Sequence, residues 1–428
     1  TRADYIEILK AAKARQIEVI PSFDMPGHSR AAVRSMEARY RRLMAEGKTA
    51  EASQYRLQDP ADTTVYDSVQ HYNDNTLNIC LPSTYAFIDK VIDTIADMHK
   101  AAGLPLKRYH IGADETAGAW TKSPACQAMM AADHLTSDEM TPYFIEKVSK
   151  ILGDKGIDPA GWSDGMGHVD PAHMPKVVQS NSWGSLFGGG IIEAYKHANQ
   201  GWDVVLSTPD VMYFDMPSTL DPKERGYDWA SRTTDLYKVF AFMPENLGAN
   251  ASVMRDIHAK GATIADTVPL TDGHRITGMQ GQLWSETVRS DAIADYMLFP
   301  RTLALAERAW HTGAWEPAYK PGQSYTFGDG QVDEAKLNAD WQAFNAKLTL
   351  PMAELEAKGV AWRLPIPGAQ VKHGMLTANL AYGDLPIQYR TKNGKWLTYT
   401  GPVKVSGPVE LRAKAPGGKR VSRTVTVE

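Results

Sequence analysis

Short apolar runs alternate along the chain with stretches whose apolar residues recur at helical spacing. The runs predict strands at Ile17–Phe23, Arg108–Gly112, Ile157–Trp162, Val177–Trp183, Asp203–Ser207 and Thr277–Trp284. The amphipathic stretches predict helices at Ser83–Ala102, Pro142–Gly153, Ile191–Gln200 and Ala292–Trp310. Ahead of the first strand, Thr1 is placed to cap a helix that carries Tyr5, Ile6 and Leu9. Leu81-Pro82-Ser83-Thr84 has the composition of a second helix start. Strands that alternate with helices build a parallel sheet with crossover helices.

An eight-stranded βα barrel needs two more strands than these six, and they would precede Thr1. An open doubly wound sheet is the alternative. Tyr40–Asn78 is long, polar and weakly periodic, and it follows a strand end, where barrels place active-site loops. After Leu364 the pattern changes. Pro365 and Pro367 mark a linker, and the periodicity becomes that of strands. "PIQYRTKNGKWLTYT" predicts a hairpin with Asn393-Gly394 in a type I′ turn, and "VELRAKAPGGKRVSRTVTVE" predicts another. The expected architecture is an α/β chain: a (β/α)8 TIM barrel over residues 1–363, its first two strands apparently missing, then a small all-β immunoglobulin-like sandwich over residues 364–428.

Composition narrows the function. Hydrophobic and charged fractions of 43% and 22% are those of a globular protein, and no apolar run is long enough to span a membrane. A net charge of −4 argues against a nucleic-acid partner. The last 65 residues carry +7 and the remainder −11; a solvated face explains the basic strands most simply, a docking surface less so. Eleven Trp and eighteen Tyr suit sugar binding, which uses aromatic faces. Cys80 and Cys126 form no zinc pattern, so two thiols and one disulfide both remain open.

Chemistry in a βα barrel sits at the C-terminal ends of the strands. There the sequence places Asp24 and His28, then Asp114 and Glu115, then Trp162 and Asp164, then Trp183, then Tyr213 and Asp215, then Trp284 and Glu286. Singly, each has a plain structural explanation: a packed Trp, a His in a Pro-Gly turn, an Asp24 that caps the next helix. Together they suit a polar ligand held between aromatic walls. Asp114-Glu115 is the hardest to dismiss, because adjacent carboxylates repel, and that cost makes sense if one acid holds a proton near neutral pH. Glycosidases commonly place two carboxylates roughly 5–9.5 Å apart on opposite sides of the sugar. Sequence neighbours cannot do that easily. A 2-acetamido group of the substrate can instead attack its own anomeric carbon, with one acid protonating the leaving oxygen.

"RYHIGADETAGAW" resembles the H-x-G-G/A-D-E motif of the family 20 glycoside hydrolases, the β-N-acetylhexosaminidases. "EVIPSFDMPGHSRAAV", the Tyr213/Asp215 segment and "QLWSE" are similar to the same family, bacterial chitobiases above all. The resemblance implies exo-hydrolysis of terminal β-linked GlcNAc or GalNAc from chitobiose and short oligosaccharides, with retention, through an oxazolinium intermediate. It implies Glu115 as general acid/base, Asp114 as the group that orients the acetamide, Tyr213 as donor to the acetamide oxygen, and His28 beside the acid. Trp162, Trp183 and Trp284 would wall the terminal sugar, Trp229 would stack on the next one, and Asp215 and Glu286 would bind hydroxyls. It implies a Cys80–Cys126 disulfide, no cofactor or metal, and an exported protein that is periplasmic, outer-membrane-associated or secreted. The family's first strand supplies an arginine that grips the terminal sugar, and a further aspartate partners the histidine. Both would lie in the missing N-terminal part of the same protein, the expected partner of this chain. A catalytically impaired fragment that only binds sugar is the alternative.

Two rival motifs carry less. Gly161-Trp162-Ser163-Asp164-Gly165 matches G-x-S-x-G, but "MGHVDPAHMP" does not read as the helix that motif requires. His28, His110, His168, Asp114 and Asp164 could serve a metal, without any H-x-H or H-E-x-x-H spacing.

Overall fold

The computed structural model describes residues 1–116, 118–392 and 394–428. The chain divides into two compact units. The first comprises Thr1–Trp183, Glu193–Leu206 and Leu270–Thr277; the second comprises Gly184–Ile192, Ser207–Pro269 and Gly278–Glu428. The C-terminal strands belong to the second unit.

Five parallel strands run through the first unit: β1 (Ser22–Met25), β2 (Arg108–Gly112), β3 (Asp158–Trp162), β4 (Gln179–Ser182) and β5 (Asp203–Leu206). Each pairs with its sequence neighbour, with Met25 opposite Gly112, His110 opposite Ala160, Ala160 opposite Gln179, and Gln179 opposite Asp203. Helices Pro82–Ala101 and Met140–Asp154 cover the sheet. Their buried stripes, Ile88, Ile92 and Ile95 on one and Phe144, Val148 and Leu152 on the other, share a core with Tyr109 and Ile111 of β2. β2, β3 and β4 are almost wholly buried, although β4 reads Gln-Ser-Asn-Ser. Thr1 caps the first helix, Arg2–Lys13, in a capping box with Asp4.

Three expected elements differ, and of the strand expected at Thr277–Trp284 only Gly278–Met279 is strand. The first strand begins at Ser22, not Ile17, because Ile17 and Ile20 are exposed and Pro21, which has no N–H, offers only its carbonyl, to His110 N at 2.9 Å. The expected Ala292–Trp310 helix is two helices, Asp291–Leu298 and Arg301–Trp310. Pro300 separates them, since it lacks the donor a continuous helix needs.

In the second unit Tyr213 forms a parallel bridge with Gln282. The guanidinium of Arg301 is buried and donates to the carbonyls of Phe214, Met216, Thr234 and Met297, which satisfies backbone that no strand pairs. Phe240, Trp315, Trp341 and Phe344 form an aromatic cluster, with Arg308 over Phe240 and Trp315. From Gly368 onward the chain forms two antiparallel sheets, of three and four strands, which share the buried residues Leu376, Ile387, Val409 and Leu411. Both hairpin segments form: Ile387–Thr391 pairs with Leu397–Thr398, and Val409–Ala413 with Val425–Val427. Asn393 of the expected type I′ turn lies outside the described residues.

Candidate active site

The acids of the first unit follow from how β2 ends. Gly112 has φ +77°, and a Cβ there would lie 1.8 Å from Asp24 Oδ1, so only glycine lets β1 and β2 approach at this point. Ala113 and Glu115 also have positive φ, 79° and 50°, as does His28 at 51°. Such conformations cost non-glycine residues of order 1–3 kcal/mol each and cluster at functional sites. Gly165 supports the same bend, since a Cβ there would lie 1.7 Å from the carbonyl oxygen of Ala113.

The bend gathers three carboxylates, Asp24, Asp114 and Glu115, around one imidazole. His28 Nε2 lies 3.4 Å from Asp114 Oδ2 and 3.2 Å from Glu115 Oε2. These bonds, that to Asp114 first, raise His28 to about 10, so the ring is an imidazolium at neutral pH. Asp114 is buried, which favours its neutral form, but the hydrogen bonds from His28 and from Asp24 outweigh burial and hold it below its ordinary value. Asp24 moves the opposite way. Burial, then the charge of Asp114, raise it well above the carboxylate range. The environment thus favours the protonated form of Asp24 and the ionised form of Asp114. Asp24 does not cap the following helix, whose N-cap residue is Ser29.

Asp164 completes the arrangement. It accepts the Trp183 indole N–H at 2.8 Å on one oxygen and the Glu115 backbone N–H at 3.3 Å on the other. Burial raises its pKa, against the indole bond. Trp162 is buried, with its ring edge-on to His110 at 4.9 Å. From the long loop, Tyr66 donates to the carbonyl oxygen of Glu115 at 3.1 Å and Gln70 to Glu115 Oε2 at 3.4 Å. The loop was legible as a candidate active-site segment, but its lack of periodicity singled out neither residue. It is anchored by a Cys80–Cys126 disulfide and by Asn78, which donates to Ser123 Oγ at 3.0 Å.

The rival chemistries find different answers. A short helix, Ser163–Met166, does follow Ser163, yet that serine is fully buried and donates to Glu193 at 2.7 Å, so it presents no nucleophile. Asp24, His28 and Asp114 bring ligand-type atoms within 4.8 Å of one another. The imidazolium of His28 supplies positive charge there itself.

The second unit holds the other candidates. The ring of Tyr213 meets Trp229 edge-on at 5.8 Å and Trp284 at 6.1 Å. Backbone bonds fix this: Phe214 N donates to Gln282 O at 2.6 Å and Gln282 N to Met212 O at 2.9 Å. Asp215 is buried and raised to about 6, by burial first and by the charge of Glu286 after it, with backbone N–H groups opposing. Glu286 is exposed, and Trp229 is half-exposed at 52%.

Comparison with known proteins places this geometry. Residues 1–313 match the glycosyl hydrolase family 20 catalytic domain, and residues 351–424 match the chitobiase/beta-hexosaminidase C-terminal domain. A beta-hexosaminidase of Vibrio vulnificus is 45% identical over all of this chain and 52% of its own length. The N,N'-diacetylchitobiase of Vibrio harveyi is 42% identical over the same shares, and beta-hexosaminidase B of Pseudoalteromonas piscicida is 53% identical over 81% of this chain and 45% of its own. The chain thus spans about half the length of the curated relatives it matches. A crystal structure of a Vibrio harveyi GH20 exo beta-N-acetylglucosaminidase in complex with N-acetylglucosamine superposes with a TM-score of 0.59 at 30% identity, covering 85% of this chain and 46% of that one. Its TIM-barrel catalytic domain is the architecture to which the parallel strands here correspond. A strand that ends in a strained Asp-Glu pair around an imidazolium, the family match over residues 1–313 and the relatives' identity agree: this chain belongs to glycosyl hydrolase family 20.

Proposed function

We propose that the protein is an exo-acting, chitobiase-like β-N-acetylhexosaminidase that works by substrate-assisted retention. The observation that carries this is the His28–Asp114–Glu115 cluster, in which a single imidazolium bonds to two neighbouring carboxylates. Neighbours cannot flank a sugar ring from opposite faces, so the second nucleophile is the substrate's own acetamide. Asp114, held ionised, accepts the acetamide N–H and stabilises the positive charge that grows on it. Glu115 gives its proton to the leaving oxygen as the acetamide oxygen bonds to the anomeric carbon and the glycosidic C–O bond breaks. Water then attacks the oxazolinium, and Glu115 takes its proton back. His28 keeps Asp114 charged throughout. Tyr213 donates to the acetamide oxygen, while Trp162, Trp183 and Trp284 wall the terminal sugar. Trp229 stacks on the next sugar, and Asp215 and Glu286 bind hydroxyls.

The relatives' names, beta-hexosaminidase and N,N'-diacetylchitobiase, support chitobiose and short β-GlcNAc oligosaccharides as substrates. The three- and four-stranded sheets over one core support an immunoglobulin-like sandwich at 364–428 beyond a catalytic domain at 1–363. The Cys80–Cys126 disulfide supports an exported protein, periplasmic, outer-membrane-associated or secreted. Ile17, Ile20 and Phe23, in and just before β1, are exposed apolar residues. Their exposure supports a partner segment, further polypeptide of the same protein, that covers them and completes the barrel.

The test is release of p-nitrophenol from its N-acetyl-β-glucosaminide, with the β-glucoside as control. Turnover of the first alone is expected in the full-length protein. Equal turnover of both would overturn acetamide assistance. Sugar binding without turnover in the full-length protein would make it a binding module.

A further inference from the structure

The segment that carries Trp229 is long and irregular, yet it is tied down at three places. Between the bridge residue Tyr213 and the helix Leu236–Phe240 it forms no strand or helix among the described residues. Ordering such a segment is entropically costly, and something must offset that cost. Apolar packing does so at Phe214, Met216 and Ala230, which are buried, but beneath its neck a cavity of about 490 Å³ opens, lined by Thr219, Leu220, Thr233 and Tyr237.

Charged groups hold it instead. Glu224 is buried and accepts from Arg363 at 2.8 Å and from the Tyr296 hydroxyl at 2.7 Å. The Tyr382 hydroxyl in turn donates to the carbonyl oxygen of Arg363 at 2.7 Å. Asp221 is ion-paired with Arg423, which lies 202 residues away in the sequence. Arg225 donates to the carbonyl oxygen of Thr287 at 2.8 Å, next to Glu286. Arg363 directly precedes the linker, and Tyr382 and Arg423 lie in the loops between the C-terminal strands. Beyond these anchors the segment presents Tyr227 and Trp229, 45% and 52% exposed, and Trp229 rests edge-on against Tyr213.

We infer that the C-terminal strands serve oligosaccharide recognition: Arg363 and Arg423 are positioning residues that pre-organise Trp229 as the stacking surface for the second sugar. The inference rests on the proposed role of Trp229 at that sugar. Its logic is that of pre-organisation, since an aromatic surface fixed before binding loses no ordering entropy when the ligand arrives. A disaccharide therefore benefits and a substrate with a minimal leaving group does not.

The experiment compares chitobiose with methyl N-acetyl-β-glucosaminide in the full-length protein. Arg423→Gln is the main variant, because Arg423 is partly exposed and its loss spares the buried core. We expect kcat/KM on chitobiose to fall about tenfold, carried by KM, with the methyl glycoside unchanged. Trp229→Ala should lower kcat/KM on chitobiose at least as far, and the double variant should lose no more than Trp229→Ala alone. Arg423→Lys, and the charge exchange Asp221→Arg with Arg423→Asp, should restore chitobiose turnover. If Trp229→Ala leaves chitobiose turnover unchanged, the role of Trp229 falls and this inference with it. If Trp229→Ala lowers it but Arg423→Gln lowers both substrates or neither, the positioning role alone is overturned.

Discussion

His28 Nε2 lies 3.4 Å from Asp114 Oδ2, so a cation touches the group proposed to orient the substrate's acetamide. That contact makes the charge of Asp114 a property of its neighbour. Replacing His28 with Gln removes the cation and leaves a buried carboxylate beside Asp24 and Asp164. Asp114 then rises towards the protonated form, and the acid limb of the kcat/KM profile moves to higher pH. At neutral pH the activity should fall about a hundredfold. A pH–rate profile of both proteins checks the direction.

The same contact links pH to stability. His28 is raised to about 10 in the folded protein against an ordinary 6.5. Its contribution is therefore complete below the unfolded value and is lost as pH rises through 10. Thermal unfolding temperature should decline between pH 7 and 10, and the decline should be shallower in His28→Gln. Asp114, held below its ordinary value, contributes stability that is lost on acidification instead.

Burial and the charge of Asp114 push Asp24 towards its protonated form. Asparagine at this position keeps an N–H donor aimed at Asp114, while alanine removes it. Asp24→Asn should stay within about tenfold of the native kcat/KM, and Asp24→Ala should lose about a hundredfold. Comparable losses in both variants would mean that Asp24 needs its own negative charge.

Much of this site could be read along the sequence because its parts are local. "RYHIGADE" keeps strand, bend and both acids within one short run, and the strands from Arg108 to Leu206 stand within two residues of their expected bounds. What could not be read depends on register. Asp24 meets Asp114 only because Met25 lies opposite Gly112. Glu224 meets Arg363 across 139 residues. The expected first strand starts too early because Ile17 and Ile20 extend an apolar run, yet both are exposed. The two cysteines alone left thiols and disulfide equal, and only the family resemblance favoured the bond.

Gly165 tests whether the strained bend matters. A Cβ there would strike the Ala113 carbonyl, which belongs to the backbone and cannot rotate away. Gly165→Ala should displace Ala113–Glu115, destabilise the fold by about 1–3 kcal/mol, and lower activity by more than the stability loss explains. Denaturation curves with assays well below the unfolding transition separate the two effects.

The Cys80–Cys126 bond fastens the end of the Tyr66 and Gln70 loop to the helix Pro124–Asp133, which follows the Asp-Glu bend. It closes a loop with a sequence separation of 46. Loop-closure entropy for that length corresponds to roughly 4 kcal/mol of stabilisation. Replacing both cysteines with serine should lower the unfolding free energy by up to that amount. It should also loosen the loop that donates to Glu115, so KM for the aryl glycoside should rise even well below the unfolding temperature. The native protein treated with reductant should reproduce both effects. An unchanged KM in the double variant would confine the disulfide to stability and detach the loop from the chemistry.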